Sequence, residues 1–340
     1  MSRRTWTLLL SLGFATALGL LGALAPVPYV ALRPGPTFDT LGVVAGKTVV
    51  DIKGTQTYPT SGHLNMTTVS VVDNVTLYTA LVLWISGRSA LVPRDEIFPP
   101  QLSDQQVEKQ NQELFRGSEA NAKAAALRYL GYPTTVVAGE VLPGGAASGT
   151  LAVGDRLLAI DGQQLPTAKR AVDLLAGSRP GQLVQLRFQH GDTPPRDAAI
   201  TLGAGAQSGR GYLGVGLIER PEVPFTVDIT LADVGGPSAG LMFALAIVDK
   251  LTPGALTGDT FVAGTGEIAP EGRVGPIGGI PLKMIRAREE GATVFLVPAE
   301  NCTEAMQRAP AGLRLVRVGT LTDAVRALDQ LRAGQQPSHC

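Results

Sequence analysis

Ten consecutive residues, 239–248 (Ala-Gly-Leu-Met-Phe-Ala-Leu-Ala-Ile-Val), contain no polar side chain, and a segment that is apolar on every side has to be surrounded. It is too short to cross a bilayer, which takes about 20 residues, so it reads as a helix enclosed in a protein core. Just ahead, residues 225–231 alternate in the manner of a strand, and Gly235-Gly236-Pro237 breaks them. The chain therefore has to fold here as strand, turn and enclosed helix, with Ser238 at the mouth of the helix. As an N-cap, Ser238 would satisfy free N–H groups of the first turn. The same place suits a nucleophile, because unpaired N–H groups and the positive end of the helix dipole stabilise an oxyanion beside the Oγ.

Residues 236–240 also fit G-x-S-x-G, the nucleophile elbow of α/β-hydrolases, in which the histidine follows the serine in chain order. Only His339 does so, behind a polar stretch (residues 334–338) expected to be unordered, whereas His63 and His190 precede Ser238. A Ser-His-Asp arrangement is thereby disfavoured, and another base is needed. Lysine serves when burial brings its pKa from about 10.4 toward neutrality, since desolvation disfavours the ammonium form. Lys283 stands among Ile277, Ile280, Leu282, Met284 and Ile285, on a helix opened by Pro281 and closed before Gly291. A lysine on a helix is ordinarily solvated, but this apolar company points the other way.

Four segments together, residues 233–241, Gly264-Thr265-Gly266-Glu267-Ile268, residues 275–283 and residues 293–301, resemble the proteolytic domain of the Lon family of serine proteases. The resemblance implies that Ser238 of the P-S-A-G motif is the nucleophile and Lys283 of the G-G-hydrophobic-x-x-K motif its base. It further implies that Thr265 orients the lysine amine by a hydrogen bond, while Glu267 holds the loop. Many members carry Lys-Asp immediately before G-P-S-A-G; here Val234-Gly235 occupy those places and Asp233 lies further back.

No G-x-x-x-x-G-K-[ST] loop occurs, so these 340 residues do not encode an ATP-driven unfoldase. No cofactor or metal is expected. A formal charge of zero without a basic stripe argues against nucleic acid as a partner. After Arg3 and Arg4, residues 5–32 carry no charge, a run longer than a bilayer requires. The basic tip favours a cytoplasmic start and an extracytoplasmic body. Ala23-Leu24-Ala25 has the form of a cleavage site, yet the apolar part exceeds a signal peptide's central region, and an uncleaved single-pass anchor in the cell membrane is the favoured reading. The apolar stretch at residues 75–85 is too short to span and reads as a core helix or strand. Cys302 and Cys340 show no ligand-like spacing; a disulfide between them is open in an oxidising compartment.

Residues 136–202 contain Leu142-Pro143-Gly144-Gly145, a G-D-x-[LIV]-[LIV]-x-[IV]-[DN]-G segment at 154–162, a short helix and a strand at 183–188. This stretch resembles a PDZ domain of the bacterial protease type, which implies binding of extended peptides, usually free C-termini, at a sheet edge. Two loops compete for the carboxylate: residues 131–135, where Pro133 removes an N–H, and residues 211–214. Residues 61–69 look like an early strand of the Lon domain, and residues 118–131 like the helix before its catalytic strand. Residues 102–112 read as an exposed helix or loop. The expected architecture is α+β: a tip at 1–4, a transmembrane anchor at 5–30, and a Lon-type domain split into 35–130 and 211–335 around a PDZ-like module at 131–210. A tail at 336–340 ends it. The expected function is an ATP-independent, membrane-tethered serine endopeptidase that takes protein or peptide substrates, with a homo-oligomer admitted by the resemblance. The alternative is a non-catalytic, membrane-anchored PDZ adaptor on an inactive Lon-like scaffold.

Overall fold

The computed structural model describes residues 3–205, 209–231 and 234–340. In chain order the principal helices are α1 (Arg3–Leu24), α2 (Leu77–Ile85), α3 (Asp104–Tyr129), α4 (Ala168–Leu175), α5 (Gly240–Leu251), α6 (Ile280–Glu289), α7 (Cys302–Gln307) and α8 (Leu321–Arg332). The principal strands are β1 (Tyr29–Asp39), β2 (His63–Val72), β3 (Ala90–Pro93), β4 (Thr134–Val141), β5 (Arg156–Ile160), β6 (Leu183–Gln189), β7 (Arg196–Thr201), β8 (Val215–Pro221), β9 (Phe261–Gly264), β10 (Val294–Pro298) and β11 (Arg314–Val318). They form two compact units, one of Met1–Ala122 with Val227–Cys340 and one of Lys123–Thr226.

The first unit is built on a mixed six-stranded sheet in the order β11-β10-β9-β2-β1-β3. Strands β9, β10 and β11 run parallel to one another and β9 runs parallel to β2, whereas β1 pairs antiparallel with both β2 and β3. Every residue of β10 is buried, as its unbroken apolar run requires of a strand covered on both faces. Helix α5 is enclosed from Gly240 through Asp249 and packs against β2 and α8. Ile280, Met284 and Ala287 of α6 join Ala263, Phe295 and Val297 in one core.

Helix α1 has the length and composition to cross a membrane, which fits an anchor or a signal sequence. Residues 75–85 depart from the expected core element. They give α2, which buries Ala80 but leaves Leu77, Val82, Trp84 and Ile85 exposed. The C-terminal tail is also ordered, contrary to expectation. Cys340 is disulfide-bonded to Cys302, His339 bridges Val316 on β11, Ser338 accepts the Arg317 N–H at 3.0 Å, and Pro337 is buried. A covalent tie and an added strand edge overcome the tail's polar composition.

The second unit carries an antiparallel sheet in the order β7-β6-β5-β4-β8, around a core that includes Leu157, Ile160, Leu186 and Phe188. Asp161 and Gly162 take positive φ values, 48° and 74°, at the turn from β5 to the short strand Gln163–Gln164. An Asp-Gly pair suits that two-residue turn. Asp155 is buried, accepting from Ala152 N and pairing with His190 Nδ1 at 2.6 Å. The unit runs beyond the 131–210 read from sequence, because β8 pairs with β4 along its whole length.

Candidate active site

Each of the three candidate side chains is delivered by a different element. Strand β9 ends at Gly264 and hands on Thr265. The turn through Gly236 (φ +84°) and Pro237 brings Ser238 up before α5. Lys283 lies in the first turn of α6, after Gly279 at its N-cap. Gly279 takes φ +72°, and a Cβ there would come within 2.9 Å of Val69, so no larger residue opens this helix without strain.

Ser238 is not a helix cap. Ala239 occupies the N-cap position, and the Ser238 hydroxyl points to lysine instead. Lys283 Nζ donates to Ser238 Oγ at 2.7 Å and to Thr265 Oγ1 at 2.9 Å. Thr265 in turn donates to the Ser238 carbonyl at 3.0 Å, so its proton is committed and its lone pairs face the amine. The structure thus brings the expected Ser238, Lys283 and Thr265 together at hydrogen-bond distance.

Lys283 and Thr265 are both buried. Burial alone lowers the Lys283 pKa to about 7, with no carboxylate contributing. At that value the amine is substantially neutral near pH 7 and has a lone pair to accept the serine proton.

The serine turn is fastened from two sides. Gly266 N donates to the Ser238 carbonyl at 2.8 Å and Leu241 N to the Gly266 carbonyl at 3.1 Å, which locks the turn to the segment after β9. From α3, the Ser118 hydroxyl donates to the Pro237 carbonyl at 2.9 Å and the Asn111 carbonyl accepts from Gly236 N. Residues 102–112, read from sequence as an exposed helix or loop, thus supply one of these fastenings. The Ser238 and Ala239 N–H groups meet no acceptor among the described residues. Asp233, the acid nearest the motif, lies outside the described residues.

A cleft of about 560 Å³ opens beside Ser238 and Lys283, walled by Pro36, Phe38, Thr68, Val69 and Val71. Sequence reasoning missed the first of these walls. The β1 register slips between Pro34 and Thr37, and Thr68 Oγ1 donates to the Pro36 carbonyl at 2.7 Å to hold the irregularity at the cleft. It also missed Asn301, a buried side chain that accepts from Ile277 N and donates to the Ile277 carbonyl, both at 2.9 Å, pinning the loop ahead of α6. No local signal marks it, because the backbone it holds lies 24 residues away. Glu267 pairs through its backbone with Gly275, as a loop holder should, but its exposed side chain also lines the cleft. Among the described residues no group of three or more His, Cys, Asp or Glu side chains is placed to hold a metal ion.

Residues 231–327 match the family described as Lon protease (S16) C-terminal proteolytic domain. The Lon protease of Azospirillum brasilense is 29% identical over 177 residues, which are 51% of this chain and 20% of that protein. The Lon protease of Heliobacterium modesticaldum is 39% identical over 95 residues, 27% of this chain and 11% of that protein. The chain thus aligns with a fifth or less of these relatives' length. The PDZ domain of an SdrC-like protein from Listeria monocytogenes is 26% identical, covering 25% of this chain and 87% of that one, with a TM-score of 0.24. The part of the chain that carries Ser238, Thr265 and Lys283 is thus similar to Lon protease (S16) C-terminal proteolytic domains.

Proposed function

We propose that this chain is an ATP-independent serine endopeptidase, tethered to the membrane by α1, that works through Ser238 and Lys283. The observation that carries the reading is the buried Lys283 amine, brought to about pKa 7, 2.7 Å from the Ser238 hydroxyl. Neutral Lys283 takes the hydroxyl proton as the Oγ attacks a peptide carbonyl, then returns it to the leaving amine. Thr265 accepts from the amine and keeps its lone pair toward Ser238. The N–H groups of Ser238 and Ala239, at the start of α5, hold the developing oxyanion. Water then attacks the acyl-enzyme carbonyl, and Lys283 again takes the proton.

The cleft suits an extended peptide. Strand β9 stops opposite Met66, and among the described residues no strand pairs β2 beyond it on that side, where Thr68 to Val71 line the cleft. A substrate strand can use that edge. For the second unit the favoured role is substrate selection through C-termini. Strand β4 is paired on both sides, by β5 and β8, so residues 131–135 lead into no free edge. Strand β8 is an edge strand, and residues 211–214 lead directly into it. The Cys302–Cys340 disulfide favours an oxidising, extracytoplasmic compartment for the body.

Purified full-length protein in detergent should cleave casein. Ser238→Ala and Lys283→Ala should each lower the rate by about 10³-fold or more while the circular dichroism spectrum is kept. Equal activity in either variant removes the proposal.

A further inference from the structure

Helix α2 presents an apolar face that the fold leaves uncovered. Leu77, Tyr78, Leu81, Val82, Trp84 and Ile85 are exposed by 53%, 47%, 47%, 66%, 66% and 70%. Their spacing, i, i+1, i+4, i+5, i+7 and i+8, places them on one side of the helix. The other side buries Ala80 and packs Leu83 against Ala31 and Val75. Residues 75–87 carry no charge, and Asp73 and Arg88 bound them. Scattered exposed apolar residues are ordinary, but six on one short helix are an interaction surface.

What lies beside that face says what covers it. The Tyr78 ring sits on Gly22 near the end of α1, so close that a Cβ on Gly22 would be 3.0 Å from the ring. Just past α1, Val27 N donates to the Val75 carbonyl at 2.9 Å and Pro26 bridges Thr76. The exposed face of α2 is therefore continuous with the apolar surface of the one helix long and apolar enough to cross a bilayer among the described residues. A nine-residue helix is only about 13 Å long and cannot span. It can lie in the plane of the interface, the depth that Trp and Tyr favour.

We propose that α2 is a second membrane attachment, seated in the headgroup and acyl boundary at the outer end of α1, with lipid as the occupant of its apolar face. Two attachments hold the proteolytic unit against the bilayer, where α1 alone would leave it free to swing. The inference rests on the reading of α1 as a retained anchor.

The chain's two tryptophans, Trp6 on α1 and Trp84 on α2, separate the two claims. Full-length Trp6→Phe protein, reconstituted in phosphatidylcholine and phosphatidylglycerol vesicles, reports Trp84 alone, and full-length Trp84→Phe protein reports Trp6 alone. Trp84 should be quenched by lipids brominated at shallow acyl positions at least about threefold more strongly than by aqueous iodide. Adding Leu81→Glu and Val82→Glu to the Trp6→Phe protein, on the exposed face, should return Trp84 to iodide while casein cleavage in detergent is kept. Trp84 open to iodide while Trp6 is quenched by bromolipid overturns the proposal and leaves the anchor standing. Both tryptophans untouched by bromolipid removes the anchor and the proposal together. Trp84 shielded from both quenchers means that protein, such as a second copy, covers α2, and also overturns it.

Discussion

Lys283 carries a buried amine whose only hydrogen-bond partners among the described residues are two hydroxyls, Ser238 and Thr265. Nothing of opposite charge offsets the loss of water, so its ammonium form is costly in the folded state and cheap in the unfolded one. This sets two pH dependences on one group, both rising with pH but across different windows. Activity needs the neutral amine, so the rate of casein cleavage should climb through about pH 7 and level off above it, and a flat profile from pH 6 to 9 contradicts a titrating base. Stability follows proton uptake. Between about pH 7 and 10.5 the unfolded chain holds a proton on Lys283 that the folded chain has released, so folding becomes more favourable as pH rises across that window. The penalty, on the order of several kcal/mol, is fully present below pH 7. Denaturant melts of Lys283→Met and wild type should therefore differ most near pH 6, with the variant gaining, and converge toward pH 10. The apolar neighbours that signal this chemistry are adjacent in sequence, which is why Lys283 was legible without a structure. Asn301 was not legible. Its role depends on lying across from Ile277, 24 residues away, and no local pattern encodes that.

At the scale of the element, the motifs worked as punctuation. Gly236-Pro237 and Gly279 mark where a strand or loop must turn sharply into a helix, and positive φ at both glycines is the reason those letters stand there. Helix start points were less secure. The local sequence admits Ser238 as a cap or a nucleophile, and the packing of α5 against the Gly266 segment places the cap at Ala239 and frees the hydroxyl. The loop ahead of α6 is held from outside by Asn301 rather than by its own residues. Asn301→Ala leaves the Ile277 N–H and carbonyl without these partners and should loosen the approach to Lys283. We expect about 10-fold to 100-fold lower kcat with the chain still folded, and unchanged kcat contradicts a positioning role. Helix α2 marks the limit of pattern reading. An apolar run of that length looks the same whether a core or a membrane covers it, and exposure is decided by the rest of the fold.

For the whole molecule, the decisive fact is that chain segments far apart share one sheet. Strand β2 lies at its centre, pairing in parallel with β9 nearly 200 residues later, and β1 and β3 complete that side. Residues 227–340 expressed alone keep Ser238, Thr265 and Lys283 but lack these three strands and the α3 contacts to Pro237 and Gly236. That fragment should show no cooperative calorimetric melt and no casein cleavage, and a sharp melt with activity would mean that the earlier strands are dispensable. The amino-acid sequence by itself determined which short segments turn, which helix must be enclosed, which lysine sits in apolar company, and that residues 5–32 can reach across a bilayer. Those are local consequences of side-chain polarity and backbone freedom. Only the tertiary structure decided that the serine hydroxyl faces the lysine, that the polar tail is tied back through Cys302 and Cys340, that β8 rather than β4 offers a free edge, and that α2 is left bare. Each of these depends on which distant surfaces meet, and residue order alone does not specify that.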